Sequence, residues 1–420
     1  MFLRLHIKFI RAIRRAGRYG QCFLGLVALC WQLIACGKAH TANTGLPFLH
    51  QQGTAIIDEN EQAVILRGVN FGAWLLWEGW EWGGPLGQSE TNIKNQMRQI
   101  VGDAGTAEFT QQVHAEFIAE NDIRRVVQMG FNVVRVPLNY RLLEDDTQPG
   151  VYLDSGWAVL DQLLAWCLHY KLYVVLDLHS APGGQSIIFT SDPGPTLLWD
   201  SNDLQDRTIN LWKSIAARYQ NHSEVAGYDL LNEPIPPTPA ALVSIYQRIA
   251  AAIREVDTRH LLFVEGANFA KDFSMFSEPP DANMAYTFHQ YTTSASARAA
   301  EVEQWKTLAE AQNIPLWCGE FGQTDPDTVA DAVALYSAAE NHVSGQALWT
   351  WKDTLANGNQ LFSIIGARPD WNQFMLWSWT GFNQPTADQV QNGINQFLSA
   401  SAIDTCSENT SMAMALGARP

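Results

Sequence analysis

Two glutamates in this 420-residue sequence stand where an apolar run breaks off. The run 225–231 ends in Asn232-Glu233-Pro234, and the run 315–319 ends in Glu320-Phe321-Gly322. Pro234 stops the first, because proline donates no ladder hydrogen bond and cannot continue regular structure. Two carboxylates at the ends of two parallel strands are the minimum equipment for cleaving a glycosidic bond. Other runs close on polar or aromatic residues too: Arg135 in 132–137, His179 after 172–178, His289 and Tyr291 after 284–288, Trp349 and Trp351 in 346–351. Taken singly, such residues are usually caps or satisfied core groups. Taken together on the ends of one set of strands, they have no structural reason to exist and point to one reaction site. Glu78, Glu81 and Glu265 are rival carboxylates, and Glu265 is kept as a neighbour of the pair.

Eight short apolar runs must carry these residues, starting at Arg67-Gly68-Val69-Asn70 and ending with 346–351. Continuous apolarity suits parallel strands covered on both faces. Helical patterns separate them, among them 109–129 closed by Gly130, 157–170, 204–219 and 239–256. The alternation predicts a (β/α)8 TIM barrel, whose chemistry sits at the carboxyl ends of its strands. Ahead of it, 55–58 and 63–66 flank Glu59-Asn60-Glu61 and predict a β-hairpin plugging the other end. Trp74, Trp77, Trp80 and Trp82 fall in a long loop above the mouth, and 16 tryptophans in all suggest a surface that stacks flat rings such as sugars.

The set Arg135, His179, Asn232, Glu233, His289, Tyr291, Glu320 and Trp351 resembles glycoside hydrolase family 5, the cellulase family of retaining β-glycosidases, from Arg67-Gly68-Val69-Asn70 through Trp349-Thr350-Trp351-Lys352. The resemblance implies that Glu233 is the general acid/base and Glu320 the nucleophile. Asn232 would bond the sugar 2-hydroxyl, and Arg135 would stand against the nucleophile's carboxylate. His179, His289 and Tyr291 would line the cleavage site. Trp351 matches the tryptophan platform after the last strand, with Trp349 as the adjacent alternative. An acid must start protonated, and the charge of a neighbouring carboxylate is expected to raise the pKa of Glu233. No cofactor is implied, and no metal-type Cys/His spacing occurs.

Asp177-Leu178-His179-Ser180-Ala181-Pro182-Gly183-Gly184-Gln185 and Trp74-Leu75-Leu76-Trp77-Glu78 look like the exo-β-1,3-glucanase and bacterial glucanase branch, which makes Glu78 a candidate substrate ligand. The sequence departs from that branch at Asp353-Thr354 and across 362–382. The expected partner is a β-linked oligo- or polysaccharide, with a β-glucan first. The alternatives are mannan, a glycolipid, transglycosylation on the same site, or a barrel that only binds sugar.

The first 35 residues read as a signal peptide, with basic residues Arg4 to Arg18, an apolar stretch, and Leu33-Ile34-Ala35-Cys36-Gly37 at its end. The ending resembles a bacterial lipobox, which predicts an exported lipoprotein acylated on Cys36, membrane-bound through that lipid only, or else a secreted protein. A tether over 36–50, a hydrolase domain over 51–400 and a tail over 401–420 follow, and a monomer is expected. The net charge of −16 falls to roughly −22 once the leader's six basic residues leave, which argues against nucleic acid as a partner. Cys167, Cys318 and Cys406 remain, and Cys167 and Cys318 read as buried free thiols.

Overall fold

A computed structural model describes residues 45–355 and 358–419. The leader, Cys36 and most of the expected tether lie outside the described residues. The chain enters through β1 (Leu49–Gln52) and β2 (Ala55–Asp58), an antiparallel pair in which Gln52 faces Ala55. Gly53, at φ +64°, opens the two-residue turn between them, as a tight hairpin demands. So the plug exists, but one hairpin earlier than its sequence pattern suggested. Residues 63–65 contribute the isolated bridge from Ala63 to Ile57 and one hydrogen bond from Val64 to Ile56 but no strand, and Leu66 already opens the first barrel strand.

That barrel is closed and wholly parallel: β3 (Leu66–Asn70), β4 (Val133–Asn139), β5 (Tyr173–Ser180), β6 (Val225–Asp229), β7 (Leu261–Glu265), β8 (Met284–Gln290), β9 (Leu316–Phe321) and β10 (Val343–Leu348). The outer helices are α1 (Glu90–Glu116), α2 (Glu120–Gln128), α3 (Asp154–Tyr170), α4 (Asn202–Tyr219), α5 (Pro239–Arg254), α6 (Ala295–Gln312) and α7 (Pro326–Ser337). Thr238 caps α5 through the N–H of Ala241, and Pro239 sits in its first turn, where a missing N–H costs nothing. Helix α1 starts well before the periodicity suggested and bends at Gly102, which holds φ +70°.

Leu49 and Ile56 of the hairpin pack on Val133, Val175, Phe263, Ala285 and Trp317 and close the amino-terminal end. Of the expected tail, 401–420, the strand over 407–408 and the helix over 410–415 are folded. Helices α8 (Pro369–Thr380) and α9 (Ala387–Ser401) pack against α1, strands β11 (Lys352–Asp353), β12 (Phe362–Ser363) and β13 (Ser407–Glu408) form a small sheet, and α10 (Thr410–Ala415) follows. Several tryptophans serve this packing. Trp77 and Trp82 lie 4.3 Å apart, Trp82 stacks on Phe397 at 4.8 Å, and Trp371 stacks on the same ring at 4.6 Å. Trp74, Trp77 and Trp82 are therefore core residues and do not line the mouth. Among the described residues no helix is long and apolar enough to cross a membrane, and Cys167 and Cys318 are buried free thiols.

Candidate active site

At the carboxyl ends of the strands the barrel interior turns from apolar to charged. Arg135 of β4 is fully buried at the centre. Its Nε donates to Asp229 Oδ2 at 2.8 Å, its Nη1 to Glu320 Oε1 at 2.6 Å and Asn70 Oδ1 at 3.1 Å. Its Nη2 donates to Asn232 Oδ1 at 2.9 Å and Glu265 Oε1 at 3.1 Å, and lies 3.1 Å from Asp177 Oδ2. Atoms of Asp177, Asp229 and Glu265 converge within 4.8 Å, as a cation site would need, and the guanidinium already fills that place. The guanidinium alone cannot balance its four carboxylates. Burial pushes Asp177 up to about 7 and Asp229 to about 6, even against the pull of Arg135.

Glu233 follows β6 in a turn, at φ +44°. Its Oε1 lies 2.9 Å from Nδ1 of His289, which ends 3.5 Å from Glu320 Oε2. Glu233, His289 and Glu320 thus bring one atom each within 4.8 Å of the others. The second oxygen of Glu320 accepts from the Tyr291 hydroxyl at 2.9 Å. Gly319 permits this approach, because a Cβ there would stand 2.4 Å from Thr287 Oγ1 and 3.3 Å from His289 Nε2.

His179 donates from Nδ1 to Asp177 Oδ2 at 2.7 Å, so its Nε2 accepts from Asn232 Nδ2 at 3.1 Å. Burial drives its pKa down to about 3, which keeps the ring neutral and supports this tautomer. Burial also lowers the affinity of His289 for a proton, but the charges of Glu265 and Glu320 outweigh it and hold the ring protonated. This reverses the expectation for Glu233. Burial works upward there, yet the hydrogen bond and charge of His289 prevail, and the carboxyl lies below its usual range. The proton expected on Glu233 sits on its imidazole neighbour.

Glu78 reaches the same place from the loop after β3. Its Oε1 is 3.9 Å from His179 Nε2, and its Oε2 accepts from Trp80 Nε1 at 2.5 Å. Burial raises it to about 8. The tryptophan assignment needs correction. Trp351 is fully buried, donates to Asp122 Oδ1 at 2.8 Å and packs on Phe362 at 4.7 Å, so it belongs to the outer core. Strand β10 ends at Leu348, and the chain leaves the barrel before residue 351. Trp349 instead stacks over His179, with ring centroids 5.3 Å apart. Arg135, His179, Asn232, Glu233, His289, Tyr291, Glu320 and Glu78 therefore converge, and Trp351 does not. Asn70, Asp177 and Asp229 join them without having been singled out. Their one signal was a polar side chain inside an apolar strand.

The family described as Cellulase (glycosyl hydrolase family 5) matches residues 86–354. A beta-xylosidase of Phanerodontia chrysosporium is 34% identical over 296 residues, covering 66% of this chain and 62% of that protein. Endoglucanase C of Acetivibrio thermocellus is 33% identical over 185 residues, covering 44% of this chain and 53% of that protein. The chain thus spans less than two thirds of the length of either relative. A crystal structure of endogalactoceramidase shares the fold at TM-score 0.53 and 22% identity, over 73% of this chain and 75% of that one. The matched stretch runs through every converging residue except Glu78 and Asn70, and the chain belongs to glycosyl hydrolase family 5.

Proposed function

We propose that the protein hydrolyses a β-glycosidic bond with retention of configuration, Glu320 as nucleophile and Glu233 as general acid/base. The observation that carries this is the meeting of the two carboxylates across one imidazole nitrogen, with oxygens inside 4.8 Å. Retaining enzymes hold their carboxyl groups about 5–5.5 Å apart, and inverting ones leave about 6.5–9.5 Å for a water. In the first step a Glu320 oxygen bonds to the anomeric carbon. The glycosidic C–O bond breaks, and its electron pair takes a proton delivered by Glu233. The result is a glycosyl ester on Glu320 and a free leaving group. In the second step Glu233 takes a proton from water, and the resulting hydroxide displaces the ester. The His289–Glu233 pair holds the proton that the first step needs. A site of buried acceptors, including Asn232 and Glu78, fits a hydroxyl-rich ring, and Trp349 offers it a flat face.

The substrate we propose is a β-glucan. The naming of one relative for a xyloside and another for a glucan keeps a β-xyloside as the second choice. The test is a screen of the leaderless protein on laminarin, lichenan, carboxymethylcellulose, xylan and aryl β-glycosides, beside Glu320→Ala. Turnover should fall by about 10⁴-fold or more in that variant, and azide should restore an α-glycosyl azide. Undiminished turnover by Glu320→Ala would overturn the assignment.

A further inference from the structure

Glu265 ends β7 in full burial, out of reach of the cleft, yet it touches the support of both catalytic carboxylates. Its Oε2 accepts from the main-chain N–H of Glu233 at 2.5 Å. Its Oε1 accepts from Arg135 Nη2 at 3.1 Å and lies 3.2 Å from His289 Nε2, an ion-pair contact not aligned as a hydrogen bond. Glu233 stands at φ +44°, a conformation that costs a non-glycine residue about 1 kcal/mol or more and persists only where its surroundings impose it. The carboxylate of Glu265 supplies that constraint, taking an N–H that has left the β6 ladder. Its closest contacts, the Glu233 N–H, the Arg135 guanidinium and the protonated His289 ring, all carry protons to give, while Asp177 and Asp229 stand behind the guanidinium. His289 therefore lies between two glutamates, Glu265 at Nε2 and Glu233 at Nδ1.

We infer that Glu265 is the positioning residue of the acid/base: it pins the Glu233 main chain and anchors His289 Nε2, so that Nδ1 presents its proton to the Glu233 carboxylate. The inference rests on Glu233 delivering the proton to the leaving group. Other charged groups face this axis from every side: Arg135 and Asp177 from β4 and β5, Asp229 from β6, Glu320 from β9, and His179 across the site. Tyr246 of α5 donates to the Glu265 carbonyl at 3.0 Å and fixes the strand end beneath it. Glu265 is the only one of these carboxylates in contact with both the main chain of Glu233 and the far nitrogen of His289.

The experiment compares Glu265→Gln with the wild type on two aryl β-glycosides, one with a dinitrophenolate leaving group and one with unsubstituted phenolate. The activated leaving group departs without a proton, and the other needs one. The variant should lose about 10²-fold in kcat on the phenyl glycoside, less than about ten-fold on the dinitrophenyl glycoside, and little in KM. Removing the anion at Nε2 weakens proton retention by the His289–Glu233 pair, so the basic limb of kcat/KM should move to lower pH. Equal losses on both substrates, or an unmoved basic limb, would overturn the inference. Should Glu265→Gln fail to fold, ¹⁵N resonances of His289 in the wild type decide: both ring nitrogens carry protons at pH 7 if Glu265 holds the far one, and a bare nitrogen refutes it. A wild type inactive on both glycosides would defeat the proposed reaction instead, and the ¹⁵N readout would still test the contact.

Discussion

The barrel changes character within one step along its strands. Val133, Val175, Phe263 and Ala285 belong to the apolar layer that the hairpin seals. Two residues further, on the same faces, stand Arg135, Asp177, Glu265 and Thr287. The polar atoms of the lower layer are paired, Trp317 Nε1 donating to the Leu66 carbonyl at 3.0 Å and the Tyr173 hydroxyl to that of Pro47 at 2.8 Å, and Phe263 meets Trp317 at 5.0 Å. The upper layer leaves Asp177 Oδ1, Asp229 Oδ1, Thr287 Oγ1 and His289 Nε2 buried without hydrogen-bond partners. Unpaired buried polar atoms cost stability. A fold that carries them in one layer and none in the next has concentrated its cost where substrate must bind. The lower layer supplies the apolar burial that offsets it.

The contrast can be broken from either side. Arg135→Met removes the one guanidinium among four carboxylates and should destabilise by about 3–5 kcal/mol at pH 8, with turnover lost. The penalty should shrink at pH 5, where Asp177 and Asp229, pushed up to about 7 and 6, take protons. Phe263→Ala, one layer down, should cost a similar 3–5 kcal/mol with no dependence on pH, and the folded fraction should keep its kcat. Urea melts at two pH values and turnover below the melting range check both. Equal pH dependence in the two variants would erase the distinction between the layers.

The tryptophans give a smaller version of the same contrast. Trp351→Phe should lose about 1–3 kcal/mol, from the Asp122 hydrogen bond and the packing on Phe362, with kcat/KM unchanged. Trp349→Phe should leave the melting temperature in place and lower kcat/KM about ten-fold, the loss of roughly one aromatic contact. Thermal melts and kinetics on one glycoside read out both, and an exchange of the two outcomes would restore the original assignment.

What the sequence made legible follows from how the information is stored. Strand ends were readable at Glu233, Glu320, His179 and His289, because an apolar run interrupted by a polar residue and a breaker is a local signal. The order of elements was readable for the same reason, and the barrel followed from it. Trp351 was preferred over its alternative Trp349 because the platform position depends on where β10 ends, and three residues of boundary error separated the expected strand end from the observed one. The tryptophan excess was misread because its partners, Phe397 and Trp371, lie in helices α8 and α9, remote in sequence and without an aligned counterpart. The sign of the Glu233 shift was hidden because it depends on an imidazole 56 residues away. Composition and spacing say which groups meet, but the ranking of their charges needs the distances.

The smallest effect concerns Glu78, which sits in the loop above the charged layer with its carboxyl raised to about 8 by burial. A raised carboxyl binds more protons folded than unfolded. Its contribution is therefore favourable at low pH and is lost as pH climbs from its ordinary value near 4.5 through about 8. The melting temperature of the wild type should fall across that window. Glu78→Gln keeps the shape and removes the titration, so its melting curve should be flatter there and should exceed the wild type by a few degrees at pH 8. Asp177 and Asp229 are raised by the same cause, so the slope should lessen and not vanish. An unaltered slope in Glu78→Gln would mean that the loop carboxylate is solvated, and that the costly layer ends at the strand tips and does not extend into the loop above them.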